Sequence, residues 1–530
     1  MKHIQTHALP GISRQQLRAA DTSAAASTSA PRGRVAITIA VMLSISLSAL
    51  DLTIVSTAMP TIASELGGFA FYSWVFSAYL LTSTSMVPIF GRLADKLGRR
   101  HAFVISATLF ILGSALCGSA QTMTQLIVFR GLQGLGAGGL FPVGMTIIGD
   151  VYAIEERGRI QPLLNSVWGV ASIAGPLIGG LIVSEYNWRW IFLLNVPAGV
   201  AAVILMSVAL REHVELSDLH VDWRGAAVLI AAVATLLRAI GIAGRGGSDA
   251  APQVATYAGI SILLLALLLW IETRASDPVI PLRLFRNRMI AAANAGQFLA
   301  CGVLYGMVSF VPLFVQNVMG SGAILAGLAI APISLGWAFA SWFAGVRIIS
   351  TGVRRLAVAG MSIIAISTLM LVASGTPRYE IIFLSMLVAG VGFGMTSTVF
   401  LLGVQHTVDW NQRGAATASL EFAREIGGSV WVAVMGGIAN SYMISKTGEE
   451  RGLAALADMS GGASMVASHI ALLRHELRLA LDHAFWLAVG LAISAFMVTM
   501  FLPATLQAPE EEVETSVVKH ESTRTGEIRS

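Results

Sequence analysis

Charge is scarce in this 530-residue chain: Asp, Glu, Lys and Arg make up 12% of it, against about 25% in soluble domains. With 55% hydrophobic residues and a mean hydropathy of +0.73, it cannot be an ordinary water-soluble globule. Cysteine is scarcer still. Cys117 and Cys301 each stand alone in an apolar run and read as small buried hydrophobes, with no disulfide or zinc framework implied. The chain lacks a G-x-x-x-x-G-K-[ST] loop, paired metal ligands and a nucleophile with a placed base, so neither an enzyme, a metal site nor a cofactor is expected. A net charge of +4 spread over short segments gives no support for nucleic-acid binding. No cleaved signal peptide is expected, because the first apolar run begins too late and is too long.

What the chain has is apolar runs of about twenty residues, separated by short charged or Gly/Pro-containing segments. They predict an all-α polytopic membrane protein with fourteen helices near 36–59, 71–90, 102–119, 125–149, 160–184, 190–210, 224–243, 253–272, 289–316, 323–345, 355–374, 380–404, 413–439 and 484–503. Residues 1–34, rich in Ser, Thr and Ala between Thr22 and Ala30, read as a disordered tail, and residues 505–530, with Glu510, Glu511, Glu512 and Glu514, as an acidic one. Between them lie a six-helix half over 35–212, two inserted helices over 213–275 and a second six-helix half over 276–504. The second half includes an external loop over 440–482, in which Leu472 to Leu479 has the pattern of an amphipathic helix lying on the membrane.

Basic residues give the orientation. Loops after even-numbered helices carry sixteen Lys or Arg between Arg92 and Arg413, whereas the short loops after odd-numbered helices carry only Arg189, Arg245 and Arg378. This bias puts the even-to-odd loops and both termini in the cytoplasm.

Against this apolar background Asp51 stands out. It lies seventeen residues after Arg34, so at about 1.5 Å of rise per residue it sits roughly 25 Å into a hydrocarbon layer about 30 Å thick. A carboxylate there costs about 2.5–3.5 kcal/mol on insertion scales, which points to a proton or cation site facing the bundle interior. The competing reading is a carboxylate near the outer interface that caps or pairs locally.

Gly91-Arg92-Leu93-Ala94-Asp95-Lys96-Leu97-Gly98-Arg99-Arg100 follows the second helix, and Gly345 to Arg355 follows the tenth. Each places two glycines seven residues apart before a basic pair, suggesting two homologous halves that rock against each other. At these residues the chain resembles the major facilitator superfamily, and within it the fourteen-helix drug:proton antiporters. Gly91, Asp95, Lys96, Gly98, Arg99 and Arg100 match every defined position of the superfamily's inter-helix signature. Leu50 to Pro60 is similar to the first-helix motif of the fourteen-helix group, Trp188 to Pro197 to the start of its sixth helix, Arg130 to Gly136 to the fourth-helix motif and Gly175 to Gly180 to the fifth-helix motif of exporters. The second half matches more loosely, Arg424 to Gly428 best.

Gly134, Gly136 and Gly139 also spell G-x-G-x-x-G, but within an apolar helix and without a preceding strand they read as close-packing positions. The resemblance implies that Asp95 contacts the start of a helix near Asn411 to Ala415, latching the cytoplasmic side, and that Arg99 pairs with Asp150. Ile349 stands where a second Asp95 would be. It further implies that Gly175, Pro176 and Gly179 form a hinge and seal, with simple tight packing as the alternative. Arg130, taken to lie near the cytoplasmic end of helix four, either snorkels or, as the resemblance implies, takes part in proton coupling as a fixed cation that lowers a nearby acid's pKa. Glu421, three residues before Arg424 on one helix face, is either structurally paired or part of coupling. Phe141, Met145, Trp168, Phe298, Tyr305 and Met307 are candidate cavity residues, each also readable as packing.

Together these readings describe a proton-driven exporter of lipophilic, cationic drugs and dyes in the cytoplasmic membrane, with small molecules, protons and the bilayer as its partners, and expected to be a monomer. Export of a lipid, siderophore or amino-acid metabolite, or a sensor without transport, are the alternatives.

Overall fold

The computed structural model describes residues 31–66, 72–212, 222–245, 250–275, 278–321, 323–373, 378–447 and 467–505. The N-terminal tail up to residue 30, residues 448–466 and the acidic tail from residue 506 lie outside the described residues. Among the described residues all regular structure is helical. In chain order the helices are α1 (Pro31–Leu66), α2 (Tyr72–Leu97), α3 (Arg99–Ser119), α4 (Met123–Val151), α5 (Ile154–Glu185), α6 (Arg189–Leu193), α7 (Asn195–Ala209), α8 (Trp223–Arg245), α9 (Ala250–Glu272), α10 (Arg288–Leu313), α11 (Ala323–Ile330), α12 (Pro332–Thr351), α13 (Val353–Ala373), α14 (Tyr379–His406), α15 (Arg413–Thr447) and α16 (Ala467–Thr499).

Among the described residues twelve helical segments are long and apolar enough to cross a membrane, α6 with α7 and α11 with α12 each counting as one. The predicted spans outside that count are α5 and α15, of 32 and 35 residues, which carry more polar side chains. Predicted spans six and ten are interrupted, at Leu194 and at Ala331. Pro332 sits in the first turn of α12, where its missing N–H costs nothing. Helix α5 starts six residues before its predicted limit, because the Glu156 carboxylate accepts the Ala153 N–H at 3.1 Å and caps the new terminus.

The predicted external loop needs correction. Helix α15 continues to Thr447 and α16 begins at Ala467, so Leu472 to Leu479 are early turns of the last helix and not a separate surface helix. Leu473, Leu477, Ala480, Leu481 and Ala484 are all fully buried at three- and four-residue spacing, so one apolar stripe runs unbroken into the span.

Two compact units result. The first comprises residues 1–86, 96–160 and 167–219; the second comprises 87–95, 161–166 and 220–530. In the first unit α4 packs closely on two neighbours through glycine. A Cβ at Gly134 would lie 2.5 Å from the Tyr79 carbonyl oxygen of α2, and one at Gly136 would lie 2.3 Å from the Phe110 nitrogen of α3. From α3, a Cβ at Gly113 would lie 2.4 Å from the Gln133 Cα. These glycines are therefore contact positions between helices and do not form a nucleotide loop.

One end of this unit is tied by Glu65. It accepts hydrogen bonds from Trp188 Nε1 at 2.9 Å and Arg189 Nη1 at 2.7 Å, and Arg189 Nη2 also donates to the Ala120 carbonyl at 3.0 Å. The Arg189 hydrogen bond holds the Glu65 carboxyl below the usual carboxylate range, outweighing burial. Its contribution to folding is thus present at neutral pH and is lost only as the pH falls through that lowered value.

In the second unit α8 and α9 pack on each other and α8 also packs on α15, while α12 and α13 both pack on α14. The internal repeat is visible in the backbone. Gly98, between α2 and α3, has φ 87° and ψ 156°; Gly352, between α12 and α13, has φ 88° and ψ 156°. Both dihedral pairs lie where only glycine is at ease, so the two loops turn in the same way.

Adding one methyl group at the α3–α4 contact should destabilise the first unit. Gly113→Ala is expected to cost about 1–3 kcal/mol, read as a lower melting temperature of the purified protein. Gly180→Ala, where nothing lies within 4 Å of the added Cβ, should change stability by less than about 0.5 kcal/mol.

Candidate functional site

Asp51 is 1% exposed and lies in the interior of the first unit. Arg130 Nη1 donates to its Oδ2 at 2.5 Å, and Gln133 Nε2 to its Oδ1 at 2.8 Å. Asn195 Nδ2 reaches the same Oδ1 at 3.3 Å. Three side chains from two further helices, Arg130 and Gln133 of α4 and Asn195 of α7, therefore donate to one carboxylate of α1. A second layer orders them: Arg130 Nη1 also donates to Gln133 Oε1 at 2.7 Å, while Asn195 Nδ2 donates to Ser114 Oγ at 3.0 Å, whose hydroxyl in turn donates to the Phe192 carbonyl at 2.8 Å. The guanidinium lies 4.2 Å from the centre of the Tyr79 ring, a cation–π contact that desolvation strengthens.

Arg130 is the eighth residue of α4, beside Val75 and Tyr79 near the start of α2. Arg130 is expected at the cytoplasmic end of that helix, yet by the distribution of basic residues the start of α4 is the opposite end. Helices α3 and α4 run antiparallel across a short connection, so the start of α4 adjoins the end of α3, while the Gly91–Arg100 segment adjoins the other end. Arg130 is 0% exposed, and so does not snorkel. Gln133, Asn195 and Ser114 were not singled out from the sequence. Their signal was the one that marked Asp51, a polar side chain within an apolar run, but uncharged groups are common enough there that only contact distinguishes them.

The signature segment makes two separate arrangements. In the first unit Arg99 Nε donates to Asp150 Oδ2 at 3.0 Å, with Arg99 1% exposed. Arg157 donates to the Tyr152 carbonyl at 2.9 Å and to the Gly149 carbonyl, satisfying groups at the end of α4. In the second unit both oxygens of Asp95 are bound at the start of α15, by the Gly414 N–H at 2.8 Å and the Ala415 N–H at 2.7 Å. Gly91 and Gly414 let the backbones meet: a Cβ on Gly91 would lie 2.8 Å from the Gly414 oxygen. At the repeat, Ile349 is 54% exposed, and Arg354 Nε donates instead to the Leu502 carbonyl at 2.6 Å.

On α15, Arg424 bridges two acids, Glu421 Oε2 at 3.1 Å and Glu425 Oε1 at 3.2 Å. Glu425 was not anticipated. Phe298 and Tyr305 of α10 lie close by, packed where Gly427 and Gly428 leave room, and Phe298 makes an edge contact with Trp431 at 6.1 Å. Met145 and Met307 are buried to 1% and 0%, Phe141 is half-buried on α4, and Trp168 of α5 is 37% exposed. Gly175 and Gly179 of α5 pack on α1, where a Cβ on Gly175 would meet Thr53 and one on Gly179 would meet Ile54 and Thr57. The side chain of Pro176 lies outside the described residues.

The sequence profile described as Major Facilitator Superfamily matches residues 41–432. The chain belongs to this superfamily. It is 35% identical over 396 residues to "Multidrug transporter protein MdtP" of Bacillus subtilis, covering 74% of this chain and 73% of that protein. It is 32% identical over 436 residues to "Multidrug resistance protein 3" of the same organism, covering 82% and 84%. Among solved structures, the human organic anion transporter MFSD10 is similar in fold, with a TM-score of 0.60 at 14% identity, covering 89% of this chain and 100% of that one. The protein is thus a multi-pass membrane transporter of this superfamily and not an enzyme.

Removing one charge of the buried pair strands the other. Arg130→Ala is expected to cost about 3–5 kcal/mol, read by thermal unfolding in detergent, and Asp51→Asn with Arg130→Gln together should cost less than the two single changes summed. At the second arrangement, Asp95→Ala should speed hydrogen exchange at the Gly414 and Ala415 amides roughly tenfold, as for the loss of about 1.4 kcal/mol of charge-assisted bonding, and leave Arg99–Asp150 intact.

Proposed function

We propose that this transporter is a proton-coupled exporter of lipophilic, cationic drugs and dyes, working by alternating access across the cytoplasmic membrane with both termini in the cytoplasm. The observation that carries the reading is the sealed Asp51–Arg130 pair. In a medium without water, a proton added to Asp51 leaves Arg130 charged and unpaired, and such a group is costly by several kcal/mol. Protonation therefore favours any arrangement in which Arg130 finds other partners or water, and the return of the bare carboxylate favours the arrangement described above. That is a linkage between one proton and the conformation of the carrier.

A cationic substrate supplies the opposite half of the exchange. A cation replaces the neutralising charge that a proton provides, so the two compete, and competition between proton and cargo at alternating openings is antiport. Asp95 suits the role of a latch, because two hydrogen bonds from a helix N-terminus are strong enough to hold and weak enough to break in each cycle. The distribution of Lys and Arg supports the orientation, with the Gly91–Arg100 loop inside. The names of the two Bacillus subtilis relatives, a multidrug transporter and a multidrug resistance protein, support the substrate class. The buried residues Asp51, Arg130 and Glu421 are assigned to coupling, and Gly91, Asp95, Gly98, Arg99 and Asp150 to gating.

Sealed inverted vesicles with an imposed proton gradient test this. The wild-type protein should transport a cationic dye only while the gradient lasts, and Asp51→Asn should lose gradient-driven transport by at least about tenfold while expression is retained. Undiminished transport by the variant would remove Asp51 from the mechanism. Failure of every dye and drug tried, with an intracellular metabolite accumulating on deletion, would replace the substrate class with that metabolite.

A further inference from the structure

The helix pair α8–α9 carries two carboxylate oxygens that no donor reaches among the described residues. Asp222 caps α8: its Oδ1 accepts the Gly225 N–H at 2.9 Å, which leaves Oδ2 buried and without a hydrogen-bond partner. Glu272 ends α9 and is 4% exposed; its Oε2 accepts the Ile280 N–H at 3.2 Å, which leaves Oε1 buried and without a partner. Both orphaned oxygens face one spot. A Cβ on residue 225 would stand 2.6 Å from Asp222 Oδ2 and 3.1 Å from Glu272 Oε1, so the glycine at that position is what leaves the spot open.

Arg92 of α2 and Asp222 are the charged neighbours of Glu272. Arg92 and Glu272 also line a common cavity of about 720 Å³, with Arg283, Arg286 and Asp409 on its wall. The Arg92 guanidinium does not hydrogen-bond the orphaned Glu272 oxygen. Two bare carboxylates facing one spot repel each other, whereas a proton on either of them removes one charge and turns an acceptor into a donor.

We propose that Asp222 and Glu272 form a hydrogen-ion site separate from Asp51, holding one shared proton in the conformation described here. Loss of that proton takes the end of the α8–α9 pair from one negative charge to two, directly beside Arg92 of the signature segment. The pair of helices that interrupts the two halves thus senses acidity on the side where that segment lies. Nothing in this site depends on the antiport reading, since neither residue belongs to the Asp51 network.

The test is infrared difference spectroscopy of the full-length purified protein during a pH titration, following the C=O stretch of protonated carboxyl groups. Wild type should show a titrating band that is absent from Glu272→Gln and from Asp222→Asn and retained in Asp51→Asn. Glu272→Gln keeps the acceptor for Ile280 and offers an amide hydrogen to Asp222, so the local fold is preserved; gel filtration of each variant checks this. A wild-type band that persists in both variants overturns the proposal. So does a titration displaced by added magnesium or calcium at constant ionic strength, which would make the ligand a metal ion.

Discussion

A guanidinium and a carboxylate cut off from water have to neutralise each other, and the first unit is arranged round that requirement at Asp51 and Arg130. The pair alone would not repay its desolvation. Gln133 and Asn195 also donate to the carboxylate, and Ser114 accepts from both of them, so polar atoms from α3, α4 and α7 gather round one acid of α1. Such a centre contributes specificity more than net stability, because it is satisfied by one set of helix positions only. That same property makes it a usable switch, since a change of one proton removes the reason for the arrangement.

Glycine makes the centre reachable. Helices α3 and α4 meet with the Gln133 backbone lying where a Gly113 side chain would be, and α4 meets α2 at Gly134 in the same manner. Close approach shortens the distance that Arg130 and Gln133 have to span and squeezes water out of the gap. Asp95 and Gly414 repeat the logic in the second unit, where a carboxylate bonds the open N–H groups of α15 because no side chain stands between them. The repeated loop at Gly345 to Arg355 keeps the backbone turn of its counterpart but not its acid. There the arginine binds the chain beyond α16, and the two halves share a shape without sharing a contact.

Much of this could be read from residue order. An apolar run of twenty residues has few ways to satisfy its backbone except as a helix, so the spans were legible as helices, although α1, α2 and α15 run on past their predicted ends to Leu66, Leu97 and Thr447. Where the flanks were themselves amphipathic, as at Ile154 to Arg159 and Leu472 to Leu479, the limits were missed, because capping and one-sided burial are decided by what packs alongside. Asp51 was legible because a lone acid deep in such a run is costly unless something pairs with it. The Trp188 to Pro197 segment was noticed as a motif, yet its Asn195 was not seen as a ligand of Asp51, since 144 residues separate them. Arg130 was noticed as a cation within an apolar helix, yet its pairing with Asp51 was not foreseen, since 79 residues separate them; the depth of a side chain follows from which way the helix runs, and a motif does not carry that direction.

The residue order by itself determined that this chain enters a membrane, that its helices approach one another through glycine, and that a few isolated charges would have to find partners. Those are consequences of composition and local spacing, and they hold whatever the packing. Which partner each charge finds was decided only by the tertiary structure: Asp51 with Arg130, Asp95 with the start of α15. The physical reason is that desolvation forces every buried charge to be compensated but does not specify by what, and compensation depends on distances set by helices far apart in the chain.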